Sequence, residues 1–298
     1  MSGKLKIQNY PSLWKLAVQL RADLKDFDFV LLYAYNGTGK TRLSVEFKNR
    51  GKQGERRDTL YFNAFTEDLF SWDNDLENDT ERKLRINGNS KFFDGFKELA
   101  LEEKIFAFME RYADFNFFID YDHWTVTFSR GEATNIKVSR GEENIFIWCV
   151  FLAICEIRLD DEKDEGTYNW VKYFYIDDPI SSLDDNNAIA VACDLSNLLR
   201  RGQGRVKTVI SSHHSLFFNV MFNELKKFNP VCYFLYKGGA DGYGLQRTDD
   251  TPFFHHVALL SELKQVSESG KVNTYHFNML RSILEKTATF FGYKDFSD

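Results

Sequence analysis

"FDFVLLYAYNGTGKTRLSVEF", residues 27–47, starts as a short apolar run and ends as a helix-forming one, with a glycine-rich turn between them. An uninterrupted apolar segment of this length predicts a strand buried on both faces. "RLSVEFKN" predicts a helix. Between the two, "AYNGTGKT" (34–41) fits the pattern GxxxxGK[ST] except at its first position, where Ala34 replaces glycine. Strand, glycine loop and helix in that order make a phosphate cradle. Gly37 and Gly39 let backbone N–H groups converge on phosphate oxygens, and the positive end of the helix adds to the attraction. Asn36, Gly37, Thr38, Gly39, Lys40, Thr41 and Arg42 are the nucleotide-contacting candidates, with Lys40 reaching the β- and γ-phosphates and Thr41 holding Mg²⁺. Alanine at the loop's entry narrows the available backbone angles only slightly.

Such a loop needs a metal-side carboxylate on a second strand. "YFYIDDPISSLDDNN" (173–187) supplies one: Asp177 accepts Mg²⁺ or its water, and Asp178 orients the water that attacks the γ-phosphate. Adjacent like charges at a strand mouth cost energy unless something cationic meets them. In "VSRGEENIFIWCVFLA" (138–153), Ser139 and Glu142 have capping-box spacing, so a helix should start there. Gly141 leaves its first turn open to a phosphate, and Ile145, Trp148, Cys149 and Leu152 form a buried stripe. Taken alone, this is an ordinary capped helix.

The chain has 298 residues, 43% hydrophobic, with 29 Phe and only 4 Pro, which describes a well-packed globular protein. Its balance of −6 predicts no general attraction to nucleic acid, so any such contact must come from a local patch. Cys149, Cys155, Cys193 and Cys232 make no CxxC pair, which argues against zinc and disulfides and for a reducing cytoplasm. No signal peptide or membrane span is expected.

Residues 10–24 pattern as an amphipathic helix, 48–59 as a charged loop, 60–65 as a strand and 66–120 as mostly helical. "HWTVTFS" and "TNIKVS" alternate around "RGEA" and read as a β-hairpin. A long apolar helix (142–158) follows, then strands at "VKYFYI" and "VKTVISS". Past a boundary near 240–250 come two amphipathic helices, "HHVALLSELKQVSES" and "YHFNMLRSILEKTATFFGY". Strands alternating with helices predict an α/β domain with a mainly parallel sheet.

The order of phosphate loop, "SRGEE", "YFYIDDPISSLDD" and "VISSHH" resembles the nucleotide-binding head of the ABC ATPase superfamily. The resemblance implies an ATP-sandwich dimer. Ser139, Gly141 and Glu142 stand in its signature, "SSLDD" is its D-loop, and His213, with His214 as the open alternative, is its switch histidine. Two departures stand out. The usual catalytic Glu is Asp178, one methylene shorter, which suits a timer better than a motor. The family's Q-loop glutamine has no match, since Gln53 lies in the charged loop; Asn63 and Glu67 are the candidates. The interval from Thr41 to Ser139 lacks sustained heptads and fits a small helical and hairpin lobe.

"YAYNGTGKTRLS", "YFNAFTEDLFSWDNDL", "GEENIFIW" and "YHFNMLRSILEKTATFFGY" resemble, more specifically, the PrrC-type bacterial anticodon nucleases. That resemblance implies a nucleotide-binding domain over 1–240, using ATP or GTP, Mg²⁺ and dTTP, and a C-terminal helical nuclease domain over 241–298. It implies cleavage of a tRNA anticodon loop, silencing by a type I restriction–modification complex, and a role in antiphage defence. It also places Arg281 and Glu285 in the nuclease triad. By spacing alone these two are an exposed i,i+4 ion pair. The family's third member is a downstream histidine; His276 lies off that face, and the chain is expected to stop before the true one and so cut weakly. "RTDDTPFFHH" (247–256) reads equally as a base-stacking segment or a polar interdomain loop. The alternative to the nuclease is an ABC-type ATPase that senses a restriction or repair complex without cutting anything.

Overall fold

The computed structural model describes residues 7–54, 56–63, 66, 69–74, 82–93, 95–99, 101–179, 185–237 and 242–248, then 260, 263–264, 266–268, 270, 272, 274–290 and 293. Two compact units emerge, Met1–Arg247 and Thr248–Asp298.

The first unit is built on a seven-stranded sheet in the order β1-β11-β10-β2-β9-β8-β3. The strands are β1 (Ile7–Tyr10), β2 (Phe29–Ala34), β3 (Thr59–Phe62), β8 (Tyr173–Asp177), β9 (Lys207–Ser212), β10 (Pro230–Lys237) and β11 (Tyr243–Arg247). The five from β10 to β3 run parallel, while β11 and β1 add an antiparallel margin. β2 is buried at every position, as its unbroken apolar run requires. Val30, Leu32 and Ala34 face α1 (Leu13–Asp23) and α2 (Lys40–Arg50) in one core cluster. On the opposite face, Tyr33 meets Phe218 edge-on at 5.6 Å. Phe218 belongs to α6 (Ser215–Leu225), which packs on α5 (Asp185–Arg201).

Residues 66–120 depart from the helical expectation. They supply β4 (Phe70–Asn74), β5 (Arg82–Ile86) and β6 (Asn116–Asp120) and, among the described residues, a 3-10 turn at Lys91–Phe93 and the helix α3 (Leu101–Met109). With β7 (Thr125–Ser129) these strands form an antiparallel sheet in the order β4-β5-β7-β6. The expected hairpin around "RGEA" is also corrected. Its tight turn exists, with Arg130 and Ala133 exchanging backbone hydrogen bonds of 2.9 and 3.1 Å. The second arm does not continue as a strand, because Asn135 takes a left-handed φ of 55° and Val138 leads straight into a helix cap. β7 pairs instead with β6 and β5.

That helix is α4 (Arg140–Asp160), buried nearly all round. Phe146 packs on Phe70, Phe117 and Phe128 of the lobe, while Trp148 and Phe151 pack on Phe62 of β3. α4 therefore joins the lobe to the main sheet. β11 pairs with β10, so the first unit runs to Arg247 and includes residues that the expected division at 240 gave to the second. In the second unit, α7 (Thr274–Phe290) is the helix expected from "YHFNMLRSILEKTATF". No helix among the described residues is long and apolar enough to cross a membrane.

One polar contact ties three elements together. Arg21 of α1 donates to Asp58 at 2.8 and 3.0 Å and to the Phe47 carbonyl at 2.7 Å, and its guanidinium carbon lies 4.2 and 4.7 Å from the ring centres of Phe47 and Tyr173. Burial raises the Asp58 pKa, but hydrogen bonds from Arg21 and Thr59 and the Arg21 charge hold it below 3.8. Arg21→Ala is expected to lower the unfolding free energy by about 2 kcal/mol at pH 7, read by urea titration. The Asp58 share is present above 3.8 and lost as pH falls through the lowered value, so parent and variant should converge in acid. Equal midpoints at neutral pH would refute this role.

Candidate functional site

Parallel strands side by side bring their carboxyl ends to one edge, and open α/β sheets place ligands there. The phosphate loop leaves β2 at that edge. Gly37 and Gly39 take φ of 77° and 106°, values that only glycine adopts without strain. Ala34 is the last residue of β2 and has no positive φ, so the departure from glycine costs the loop nothing. Lys40 turns back along the loop. Its Nζ donates to the carbonyls of Ala34 and Tyr35 at 3.2 and 3.3 Å and to Asn36 Oδ1 at 3.4 Å.

The two adjacent carboxylates at the end of β8 have different partners. Asp177 is 2% exposed. Its Oδ2 accepts from Thr41 Oγ1 at 2.7 Å and its Oδ1 from Ser211 Oγ at 2.6 Å. Burial and the neighbouring Asp178 charge push its pKa up to about 6. Asp178 has a left-handed φ of 46°, and its N–H donates to the Ser211 carbonyl at 2.9 Å. Its carboxylate meets Lys40 Nζ at 3.0 Å and His213 Nδ1 at 2.8 Å, and accepts from the His213 backbone N–H at 2.9 Å. Burial works against the charged form, but His213 and Lys40 outweigh it and hold Asp178 below the usual carboxylate range. Lys40 is thus the cation that the paired acids require.

The structure separates the two histidines. His213 faces Asp178, whereas His214 caps α6, its Nδ1 accepting from the Phe217 N–H at 3.3 Å. Asn63, at the end of β3, is buried and donates to Ser44 Oγ at 2.7 Å; Ser44 donates to the Thr41 carbonyl at 2.7 Å. Asn63 therefore touches the loop's helix, while Gln53 is exposed in the loop after α2. Glu67 and the D-loop residues 181–184 lie outside the described residues.

Thr41 and Asp177 place two hard oxygen donors side by side, the donor chemistry that Mg²⁺ takes. The fit of the residues to Mg²⁺ and a nucleotide rests on that pair and on the open glycine loop.

At the start of α4 the capping box forms as its spacing predicts. Ser139 N–H donates to Glu142 Oε2 at 2.7 Å and Glu142 N–H to Ser139 Oγ at 3.3 Å. Arg130 pairs with Glu142; burial opposes the Glu142 charge, but the cap and Arg130 lower its pKa. Glu143 is buried and accepts from Trp72 Nε1 at 2.9 Å, which ties the cap to β4. A Cβ at Gly141 would meet nothing within 4 Å, so no neighbour in this chain demands glycine there. In the second unit, Arg281 Nε and Glu285 Oε1 lie 2.7 Å apart on the exposed side of α7, whereas His276 is buried. Of "RTDDTPFFHH", residues 249–256 lie outside the described residues.

Sequence reasoning missed Ser211. Its signal was present: a hydroxyl residue near the end of the apolar strand "VKTVISS", which the parallel register sets opposite Asp177.

No family model matches the chain. Solved structures with some likeness include an Smc head bound to the winged-helix domain of ScpA (10% identity, TM-score 0.40, covering 72% of this chain and 89% of that one). Another is the SMC head domain from Thermotoga maritima (12%, 0.36, 72% and 88%). TM-scores of this size add nothing to the assignment; the ABC-ATPase-type head is read from the strand order, the phosphate loop and the capped α4. The sequence comparison is stronger: an anticodon nuclease of Escherichia coli is 37% identical over 303 residues, covering 90% of this chain and 76% of that protein. With that identity along nine-tenths of its length, the chain belongs to the anticodon nuclease family.

Proposed function

We propose that this protein is a nucleotide-gated tRNA anticodon nuclease. The observation that carries the reading is the 37% identity to an anticodon nuclease along nearly the whole chain. The head binds and hydrolyses ATP or GTP with Mg²⁺ at Thr41 and Asp177, and dTTP is a further ligand of the same head. Mg²⁺ held by those two residues would offset negative charge on the phosphate oxygens. Lys40 binds the phosphates and Asp178 orients the attacking water, with His213 held beside it. Ser139 and Gly141 of one head meet the nucleotide of a second, and the open space above Gly141 supports that reading. In the second unit, Glu285 takes the 2′-OH proton as the 2′-oxygen bonds to phosphorus, Arg281 stabilises the charge there, and the 5′-oxygen leaves and takes its proton from water. The setting is cytoplasmic antiphage defence, with silencing by a type I restriction–modification complex.

A second reading has one observation in its favour. Arg281 and Glu285 form an exposed i,i+4 ion pair, and His276 is buried. That suits a regulatory ATPase with no nuclease of its own. Incubation with total bacterial tRNA and nucleotide, with 3′ fragments mapped, separates the two. Anticodon-loop cuts that vanish in Arg281→Ala and Glu285→Ala support the nuclease; cuts indifferent to both changes place its chemistry elsewhere, and absence of cutting favours the regulator.

Lys40→Ala is expected to weaken nucleotide binding roughly 100-fold, about 2.7 kcal/mol, in a calorimetric or fluorescence titration. Affinity equal to the parent's would contradict the phosphate loop. Asp178→Asn is expected to slow hydrolysis on the order of 100-fold or more while nucleotide binds at least as tightly, because Lys40 loses its competing carboxylate. With ATP and Mg²⁺ this variant should elute as a dimer. Undiminished turnover would move the water-orienting role to another residue.

A further inference from the structure

α2 starts at the phosphate loop, and its far end opens on a different surface. Its last turn carries Lys48 and Arg50, and the loop toward β3 adds Lys52, Arg56 and Arg57. Residues 48–57 thus hold five cations and one carboxylate, in a chain whose balance is −6. Lys15 of α1 joins them: Lys15 and Arg50 stand over the ring of Trp14 at 4.9 and 4.7 Å. Lys48 lies 4.2 Å over Tyr61. Trp14 is 41% exposed, and Lys15, Arg50, Lys52, Arg56 and Arg57 are exposed too.

Several surface cations elsewhere on this unit have carboxylate partners, as Lys97, Lys104, Arg111, Arg130, Arg200 and Arg201 do, while others such as Lys25, Lys226 and Lys227 stand without one among the described residues and are not gathered into one segment. Among the described residues, the cations of this face have none within 4.0 Å. The nearby Asp58 is taken by Arg21 at 2.8 Å. The negative end of α2 accounts for Lys48 and Arg50. It does not account for Lys15, Lys52, Arg56 or Arg57. Two contacts tie the ends of the loop that displays them. Gln53 and Arg56 exchange backbone hydrogen bonds at 3.1 Å, and Gly51 lies so close to Asp58 that a Cβ there would come within 1.7 Å of its carboxylate.

We propose that this face docks the sugar-phosphate backbone of the RNA substrate. Spaced cations with no carboxylate within 4.0 Å among the described residues suit a row of phosphates, and an exposed indole ring offers a surface for a ribose or an unpaired base. At 1.5 Å per residue, α2 sets the patch about 16 Å from the phosphate loop, so this is not the nucleotide's own site. The proposal rests on the nuclease reading, because that reading makes RNA the partner rather than another polyanion.

The test is fluorescence anisotropy of the full chain with labelled tRNA and, separately, labelled duplex DNA across a salt series. The variant is Lys52→Glu, Arg56→Glu, Arg57→Glu, with nucleotide binding as the control for folding. Expected are at least a tenfold weaker tRNA affinity, a log–log salt slope shallower by roughly 2 to 3, and unchanged nucleotide binding. If charge reversal unfolds the chain, the milder Arg56→Gln, Arg57→Gln pair is read for the same loss at smaller size. A folded variant that binds tRNA like the parent overturns the patch. Parallel loss of equally tight DNA binding overturns its assignment to RNA. A parent that binds no tRNA at all sinks the nuclease reading itself, which is a distinguishable result.

Discussion

Two carboxylates, adjacent in sequence at the end of a buried strand, set the terms for everything around them. Asp177 and Asp178 cannot both sit ionised in a low-dielectric pocket without partners. The fold gives them different ones. Asp177 receives two hydroxyls, from Thr41 and Ser211, and burial leaves its pKa near 6. Asp178 receives the buried Lys40 and both donors of His213, and is lowered. Thr41 and Lys40 come from α2, Ser211 from β9 and His213 from the residue that follows that strand. Satisfying the acid pair therefore fixes how the loop, β8 and β9 meet, and pairs whose environments drive their pKa values apart are characteristic of working sites.

α4 extends that order to the lobe. Its buried aromatic residues reach the lobe sheet through Phe146 and the main sheet through Trp148 and Phe151. Side chains in such a core sit in close-packed contact, so α4 couples the two sheets. The cap at Ser139 is anchored further by Glu143 and Trp72. The first turn of α4 is thus presented outward on a stiff support, with the open position at Gly141 within it.

How much of this was legible depended on the strength of the local pattern. β2 and its loop were plain because an apolar run, two glycines and a lysine leave one arrangement. The capping box was plain because its two hydrogen bonds are local. The lobe was not. Strands such as "RKLRI" are five residues long, with charges outward and only Leu84 and Ile86 buried, and so short an alternation competes poorly with helical spacing. "TNIKVS" failed in the opposite sense: it alternates well, yet Asn135 breaks it with a left-handed φ. Ser211, the Asn63–Ser44 bond and the Lys40–Asp178 pair join residues far apart in the chain, and only the strand order brings them together.

Net charge misleads here in a way that distance explains. A balance of −6 describes the field far from the protein, but at physiological ionic strength charges are screened within about 8 Å. A partner arriving at the far end of α2 meets a segment, 48–57, with five cations and one carboxylate before it senses acids on other faces. The same helix shows the opposite polarity at its two ends: N–H groups and glycines where the phosphate loop begins, and the negative end of the helix dipole where Lys48 and Arg50 stand. Cations gather at the carbonyl end because the helix itself draws them there, and once gathered they need no change of fold to meet a polyanion. One helix can therefore serve anionic ligands at both ends by different means, backbone N–H groups and Lys40 at the first, mainly side-chain charge at the second.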